Sequence, residues 1–280
     1  MKTIALLTDF GLQDIYVGVM KAVMRSICPS AEFIDLTHAI PPQSVRGGAI
    51  ALRNSYSYCP TETVFLVIVD PGVGSTRRPI AVRAGGYTFV APDNGVLSYA
   101  LAEIGGEQTA VILENPSYRR QAVSATFHGR DVFAPAAAYL ARGDVALHQM
   151  GQAIHQLAEL PAPTLQVDGK RISGEVTHID HFGNIITSIG ELRWVDEGRL
   201  VISIAEQMSA RLVADHVTVR IGDETIYGIL HAYHEIGRGG LMAQVDSNGY
   251  LEIAVNQGDA ARRLNVTIGD PLELVLDDGD

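Results

Sequence analysis

"TVFLVIVDPGVGSTRRPIAVR", residues 63–83, has the pattern of the central strand of a sheet and the turn that follows it. An uninterrupted apolar run ends at Asp70, two glycines follow at once, and a second apolar alternation begins at Ile80. A strand that is apolar on both faces is typical of the centre of a parallel sheet covered by helices. The stretch therefore predicts a buried strand that carries a carboxylate to a sheet edge, followed by a turn bearing Arg77 and Arg78.

The segments around this strand alternate between strand-like and helix-like patterns. The pattern predicts strands over residues 3–9, 32–37, 63–70 and 109–114, a hairpin over 79–93 that turns at Gly85-Gly86, and helices over 14–29, 44–58, from about 95, and 131–143. Such alternation is typical of an α/β domain. We expect an N-terminal α/β domain over residues 1–160 with a mostly parallel central sheet.

The pattern changes after a proline-containing stretch. Residues 161–170 have no clear period and are predicted to be a linker. Over residues 171–280 the apolar residues recur with period 2, which predicts eight short strands: "ISGEVTHID", "NIITSI", "RLVISIAE", "HVTVRI", "TIYGILHAY", "LMAQVD", "GYLEIAVN" and "PLELVLDD". Many short strands with Gly, Asn and Asp between them predict an all-β, barrel-like C-terminal domain.

The bulk composition excludes several classes of protein. The formal net charge is −11, which argues against a nucleic-acid-binding surface. No stretch approaches the ~20 apolar residues that a membrane helix needs. The first apolar run is too short for a signal peptide, so we expect a cytoplasmic protein with no membrane association. The two cysteines, Cys28 and Cys59, form neither a disulfide framework nor a metal-ligand spacing.

Carboxylates follow the predicted parallel strands, where ligands of α/β sheets bind. Asp9 ends the first strand, Asp35 and His38 close the second, and Asp70 ends the third. A carboxylate at the end of a buried strand needs partners, which favours a functional role for Asp9. Asp14 opens the following helix, where a carboxylate also interacts favourably with the helix dipole, so both interpretations of it stay open.

Three further motifs combine histidine with acidic residues. In "FHGRDVF" (127–133), His128 precedes a glycine at a helix entrance, and we expect Asp131 to cap that helix. "HIDHFGN" (178–184) is either a site or a hairpin turn. In "HAYHE" (231–235) the two histidines would face opposite sides of a strand, so we expect no metal site there.

Five motifs together resemble one known family. They are "TDFGLQDIYVG" (8–18), "DPGVGSTRR" (70–78), "FHGRDVF" (127–133), "HIDHFGN" (178–184) and "SNGYLEIAVNQG" (247–258). In this order the chain resembles, along nearly its whole length, the S-adenosyl-L-methionine (SAM) hydroxide adenosyltransferases, the adenosine-forming SAM hydrolases related to the SAM-dependent fluorinase and chlorinase. The resemblance implies an α/β N-domain, a β-barrel C-domain, and SAM as substrate with no cofactor and no metal.

The resemblance also implies residues of the site. Asp70, Arg77 and His128 would form the reacting centre, and Asp9 would hold the ribose hydroxyls. The other implied substrate-binding residues are Asp14, Asp180 and Ser247 for the methionine amine and carboxylate, Asn184 with backbone near Val255 and Gln257 for adenine, and Phe182 and Asn248 in the same motifs. Asn248 stands where a fluorinase has arginine. Homotrimers are implied, with each site between one subunit's N-domain and its neighbour's C-domain.

Two departures from the fluorinases favour water over halide as the nucleophile. Fluorinases have a tyrosine where this chain has Asp70, and they lack the equivalent of His128. The expected reaction is displacement of methionine from the ribose C5′ by water or hydroxide. Either an Asp70–His128 relay takes the proton, or Arg77 stabilises a hydroxide. A SAM-dependent halogenase and a sensor that binds SAM or adenosine without turnover remain the alternatives.

Overall fold

The computed structural model describes residues 2–205 and 208–276. The chain divides into two compact units, Met1–Pro161 and Ala162–Asp280. Within the described ranges, none of the helices combines the length and the apolar character needed to cross a bilayer.

The first unit is built on one seven-stranded sheet. Its strands are β1 (Thr3–Thr8), β2 (Glu32–Thr37), β3 (Val64–Ile68), β4 (Pro79–Ala84), β5 (Tyr87–Pro92), β6 (Gln108–Ile112) and β7 (Ala153–Ile154), in the order β2-β1-β3-β5-β4-β6-β7. The pairings from β2 to β5 along this order are parallel, and those from β5 to β7 are antiparallel. The sheet is therefore mixed, because the β4–β5 hairpin reverses the chain direction, and the expectation of a mostly parallel sheet holds for one half only.

Helices cover both faces of this sheet. They are α1 (Tyr16–Ile27), α2 (Val45–Arg53), α3 (Ser98–Ile104) and α4 (Ala134–Arg142), with a π-helical turn at Gly129–Phe133 and 3₁₀ turns at Tyr56–Tyr58, Pro116–Tyr118 and Leu147–Met150. Leu66 and Ile68 of β3 pack in a core shared with α1 and α4, while Phe65 and Val67 pack in a core shared with α2 and α3. The apolar run thus buries both faces of β3 and leaves its carboxyl end free for polar groups.

The second unit is almost entirely β-structure. Its strands are β8 (Leu165–Asp168), β9 (Arg171–Ile179), β10 (Ile185–Thr187), β11 (Leu192–Asp196), β12 (Arg199–Ala205), β13 (Met208–Val213), β14 (Val217–Ile221), β15 (Glu224–Tyr227), β16 (Leu241–Val245), β17 (Leu251–Val255) and β18 (Pro271–Leu276). One sheet has the order β15-β14-β18-β9-β10-β17-β16, with β8 added to β9, and β11-β12-β13 form a separate sheet. A bridge between Leu230 and Gln244 brings the two ends of the large sheet into a nearly closed barrel.

Short helical segments complete the second unit. They are α5 (Ala260–Leu264) and 3₁₀ turns at Ala214–His216 and Tyr233–Glu235. Within the stretch predicted to be a linker, Leu165–Asp168 is instead strand β8, because Leu165 and Val167 pack against the barrel core. The strand predicted over "TIYGILHAY" ends at Tyr227, since Gly228 turns the backbone to a φ of +76°.

Candidate active site

Arg77 is the centre of a buried cluster beyond the end of β3. Its Nε donates to Oδ1 of Asp70 at 2.9 Å, and its Nη2 donates both to Oδ2 of Asp70 and to Nδ1 of His128, the latter at 2.9 Å. The guanidinium carbon lies 5.0 Å from the centroid of the Phe133 ring. The side chains of Arg77 and Asp70 are only 9% and 5% exposed. The structure therefore brings together the three residues that the resemblance assigns to a reacting centre.

The hydrogen bonds fix where the protons are. A guanidinium only donates, so Nδ1 of His128 must carry a lone pair, and the proton of the neutral ring is on Nε2. Burial lowers the pKa of His128 below its usual range, and the positive charge of Arg77 lowers it further. Geometry and charge thus agree that His128 is neutral, with an Nε2–H group that can donate.

One donor of Arg77 has no partner. Its Nη1 is buried and makes no hydrogen bond within the described part of the chain. Leaving a buried charged donor unpaired costs free energy comparable to a lost hydrogen bond, about 1–3 kcal/mol or more. Such a group is suited to hold a polarised water or an anionic oxygen, because it presents fixed positive charge in a site of low exposure.

The turn between Asp70 and Arg77 explains the two glycines. Ser75 Oγ donates to the Gly72 carbonyl at 2.7 Å and accepts from the Arg77 amide at 3.2 Å. Gly74 has a φ of +77°, and a Cβ on it would lie 2.3 Å from the carbonyl oxygen of Ala125. The turn therefore folds back so that Arg77 meets Asp70, and it packs directly on the segment that leads to His128.

Replacing Gly74 by alanine is expected to destabilise the fold and to displace the segment before His128. The matched control is Gly86→Ala, since Gly86 has a φ of +83° but open space around it. Both variants strain the backbone, so the difference between their free energies of unfolding measures the clash with Ala125. We expect Gly74→Ala to lose about 1–3 kcal/mol more than Gly86→Ala. Chemical denaturation of both variants measures it, and equal losses would contradict the packing described above.

Asp131 holds this segment and does not cap a helix, so the capping prediction is wrong. His128 occupies the position before the π-helical turn, and Asp131 lies fully buried inside the turn. Its carboxylate accepts from the Ser124 amide at 2.9 Å and from Arg130 Nε at 2.7 Å. Burial alone would raise the pKa of Asp131, but these bonds hold it below its usual range. Asp131 therefore ties together the loop that carries His128.

Asp9 lies at the same carboxyl edge as Asp70. Its amide donates to the Ile68 carbonyl at 3.4 Å, and its Oδ2 accepts from the Gln43 amide at 2.8 Å. Asp14 is exposed, two residues before α1, and its side chain has no hydrogen-bond partner among residues 2–205 and 208–276. Asp14 is thus outside the first helical turn, where a carboxylate would gain most from the helix dipole.

A relay that is buried at Thr8 and His38 and exposed at Asp35 supports the end of β1 and was not foreseen from the sequence. Oγ1 of Thr8 lies 2.8 Å from Nδ1 of His38, and Nε2 of His38 lies 3.0 Å from Oδ1 of Asp35. Lys21 Nζ donates to the second oxygen of Asp35 at 2.6 Å. His38 is therefore placed to orient the strand end next to Asp9, although the sequence offered only its position after a strand.

In the second unit, the turn before β10 is organised by Asp180. Its Oδ1 accepts from the amides of Phe182 and Asn184, both at 2.8 Å, and its Oδ2 accepts from Asn184 Nδ2 at 3.0 Å. Asn184 is buried and the Phe182 side chain is exposed. The hairpin-turn interpretation of this motif is thus correct for its backbone, and the turn still presents an amide and an aromatic ring.

The remaining predicted residues lie at the two ends of β17. Ser247 and Asn248 are exposed in the turn before this strand, and Val255 is its last residue. Gln257 follows with a φ of +56°, uncommon for a residue with a side chain. A Cβ on Gly183 would lie 2.2 Å from Asp259 Cγ, so the Asp180 turn packs beside the Val255 end. The other end of β17, which Ser247 and Asn248 precede, lies about 13 Å from Val255 along the strand.

The "HAYHE" segment has structural partners. The His231 ring stacks on Trp194 with 3.5 Å between centroids, and its Nε2 lies 2.8 Å from the Glu197 carbonyl. Glu235 Oε1 accepts from the amides of His231 and Ala232. Across the described ranges, no three His, Cys, Asp or Glu side chains are grouped as a metal ion would require.

Comparison with protein families gives a match over most of the chain. The model of the SAM hydroxide adenosyltransferase N-terminal domain matches residues 4–151, and that of the C-terminal domain matches residues 174–273.

Individual proteins agree with this match. A protein named (R)-S-adenosyl-L-methionine hydrolase from Salinispora arenicola is 39% identical over 273 residues, covering 97% of each chain. One of the same name from Thermus thermophilus is 37% identical, covering 98% of this chain and 100% of its own. A fluorinase from an Actinoplanes species is 28% identical, covering 95% of both. A crystal structure of an uncharacterized conserved protein from Thermotoga maritima superimposes with a TM-score of 0.84 at 37% identity, covering 97% of this chain and 99% of that one.

Proposed function

Because this chain belongs to the SAM hydroxide adenosyltransferase family, we propose that it hydrolyses SAM to adenosine and L-methionine. The oxygen of a water or hydroxide forms a bond to the ribose C5′, and the bond from C5′ to sulfur breaks with its electron pair going to sulfur. The sulfonium leaves as a neutral thioether, so no general acid is needed for it. One proton from the water is released.

The observation that carries this proposal is the buried Asp70–Arg77–His128 cluster with its unpaired Nη1. In our proposal Nη1 of Arg77 donates to the attacking oxygen, while Nδ1 of His128 accepts from Nη2 and orients the guanidinium. A charged donor lowers the pKa of a bound water and favours hydroxide. Nδ1 of His128 and both oxygens of Asp70 already accept from the guanidinium, which favours the hydroxide mechanism over an Asp70–His128 relay.

Binding of the substrate is assigned to the remaining motif residues. In our proposal Asp9 accepts from the ribose hydroxyls, and Asn184 meets the adenine edge together with backbone near Val255 and Gln257. The methionine amine and carboxylate are assigned to Asp14, Asp180 and Ser247, with Phe182 beside Asp180 and Asn248 beside Ser247. A homotrimer in which different subunits supply the two halves of each site belongs to this proposal.

The names of the relatives support a proposal for the stereochemistry of the substrate. They are called (R)-S-adenosyl-L-methionine hydrolases. Since L already specifies the α-carbon of methionine, R refers to the sulfonium sulfur. We therefore propose the R epimer as the preferred substrate of this chain.

The test is to incubate the purified protein with each epimer of SAM separately in ¹⁸O-labelled water, without added metal or halide, and to analyse the products by mass spectrometry. We expect methionine and adenosine carrying the label in its 5′-hydroxyl, formed faster from the R epimer. A 5′-halo product formed only when halide is added would identify a halogenase. SAM that binds without release of methionine would identify a sensor. Either result would overturn the proposed reaction.

A further inference from the structure

A chain of polar side chains runs behind Asn184 through the second unit. Asn184 Nδ2 donates to the Tyr233 hydroxyl at 3.3 Å, and that hydroxyl donates to Glu252 Oε1 at 2.6 Å. Gln244 Nε2 donates to the same oxygen at 2.6 Å. Asn184, Gln244 and Glu252 are 6%, 5% and 6% exposed. Because unpaired donors are costly at these three buried residues, the chain favours one arrangement of donors and acceptors.

The direction of these hydrogen bonds determines the orientation of the Asn184 amide. One of its two N–H groups faces Oδ2 of Asp180, which as a carboxylate can only accept. The other faces the Tyr233 hydroxyl, whose own proton is committed to Glu252. Both N–H groups are therefore used. The carbonyl oxygen Oδ1 has no hydrogen bond within residues 2–205 and 208–276 and is the group left for a ligand.

Glu252 keeps the Tyr233 proton in place. It lies on β17 opposite Gln244 of β16, and the hydroxyl of Tyr233 reaches it from the 3₁₀ turn. Burial raises the pKa of Glu252, against hydrogen bonds from Tyr233 and Gln244 that lower it. Burial and the bond to Glu252 also raise the pKa of Tyr233, so its hydroxyl keeps its proton and stays a donor. The buried Glu252 and the hydroxyl of Tyr233, a residue that is 41% exposed, thus set the amide.

We propose that Tyr233 and Glu252 are positioning residues that present the Asn184 carbonyl oxygen to the base, so that the site accepts a 6-aminopurine and rejects a 6-oxopurine. This inference rests on the proposed function, in which Asn184 meets the adenine edge. A 6-amino group donates to Oδ1. A 6-oxo group would face Oδ1 with a second acceptor, and turning the amide over would break both N–H bonds and set Oδ1 against the Asp180 carboxylate.

The test compares SAM with its inosyl analogue, in which a 6-oxo group replaces the 6-amino group. The variants are Tyr233→Phe and Glu252→Gln, and the control is Tyr227→Phe, an 80% exposed tyrosine of the same unit. We expect the wild type to prefer SAM and Tyr233→Phe to lose about 3- to 10-fold of that preference, the worth of one hydrogen bond. Glu252→Gln should lose less of this preference, because its amide oxygen can still accept from the Tyr233 hydroxyl, although more weakly than a carboxylate does.

The loss should appear in KM and not in kcat, and Tyr227→Phe should behave as the wild type. An unchanged ratio of kcat/KM for the two substrates in both folded variants would overturn the inference. If the wild type does not hydrolyse SAM, the proposed function fails, and the inference is then tested by calorimetric binding of adenosine and inosine. Equal Kd values for the two nucleosides in the wild type would overturn it independently of any turnover.

Discussion

Replacement of Asp70 by alanine is expected to lower kcat for SAM hydrolysis by up to about 10²- to 10³-fold, the effect of losing the Arg77 donor that it positions, while KM changes much less. Asp70 makes two charge-assisted hydrogen bonds to the Arg77 guanidinium. Without them the guanidinium is free to rotate, and Nη1 is no longer aimed at the attacking oxygen. Asp70 itself lies behind Arg77 with little exposure, so its loss should affect the transition state far more than the binding of SAM.

The control for this prediction is a second ion pair in the same unit. Arg78 Nε donates to Asp93 Oδ2 at 2.7 Å, and the Asp93 side chain is buried. Asp93→Asn should cost stability, as Asp70→Ala does, but leave the kcat of the folded protein unchanged. Asp70→Asn preserves the shape of the side chain and is measured in place of Asp70→Ala if the alanine variant does not fold. Equal losses of kcat and of SAM affinity in Asp70→Asn would contradict the role of Asp70 at the reacting centre.

Local pattern was sufficient to predict the elements that position the reacting centre. The apolar run before Asp70 predicted β3, and the Gly85-Gly86 pair predicted the β4–β5 hairpin, because burial and turn geometry each leave a signal in neighbouring residues. The neighbours of this hairpin in the sheet leave no such signal. Whether the sheet is parallel or mixed depends on which strands pair with β4 and β5, and these partners are distant in the sequence.

Residues of the candidate site were predictable only where they lie in one of the family motifs. Arg77 and His128 are 51 residues apart, and Asn184 and Tyr233 are 49 residues apart. Such pairs form because folding joins distant segments, which no short-range spacing records. The resemblance to a family supplied the first pair, since both residues stand in its motifs. Tyr233 lies outside those motifs, and only the structure brought it into contact with Asn184.

Replacement of Arg77 by alanine is expected to lower kcat about 10²- to 10³-fold, the usual effect of removing one preorganised donor from a developing anion. A guanidinium ion added to the solution should restore part of this loss in Arg77→Ala, because the side chain leaves a space between Asp70 and His128 that binds the free ion. The control is Arg78→Ala, whose guanidinium pairs with Asp93 outside the cluster and whose activity should neither fall nor respond to added guanidinium.

The same variant should change the pH dependence, since Arg77 contributes to the lowered pKa of His128. Neutral His128 is the active form in our proposal. As the pH falls through the pKa of the folded protein, the ring gains a proton on Nδ1 and can no longer accept from Arg77. Activity is therefore present above this lowered pKa, and the acid limb of kcat/KM for the wild type should lie below the usual histidine value of about 6.5.

In Arg77→Ala the positive charge is gone while Asp70 still favours the protonated ring, so the acid limb should move upward. Profiles of kcat/KM against pH for the wild type, Arg77→Ala and Arg77→Lys measure this shift. Lysine keeps the charge but not the planar fork, so Arg77→Lys should keep a low acid limb while losing kcat. An acid limb that stays in place in Arg77→Ala, with no rescue by guanidinium, would mean that Arg77 only stabilises the fold around Asp70.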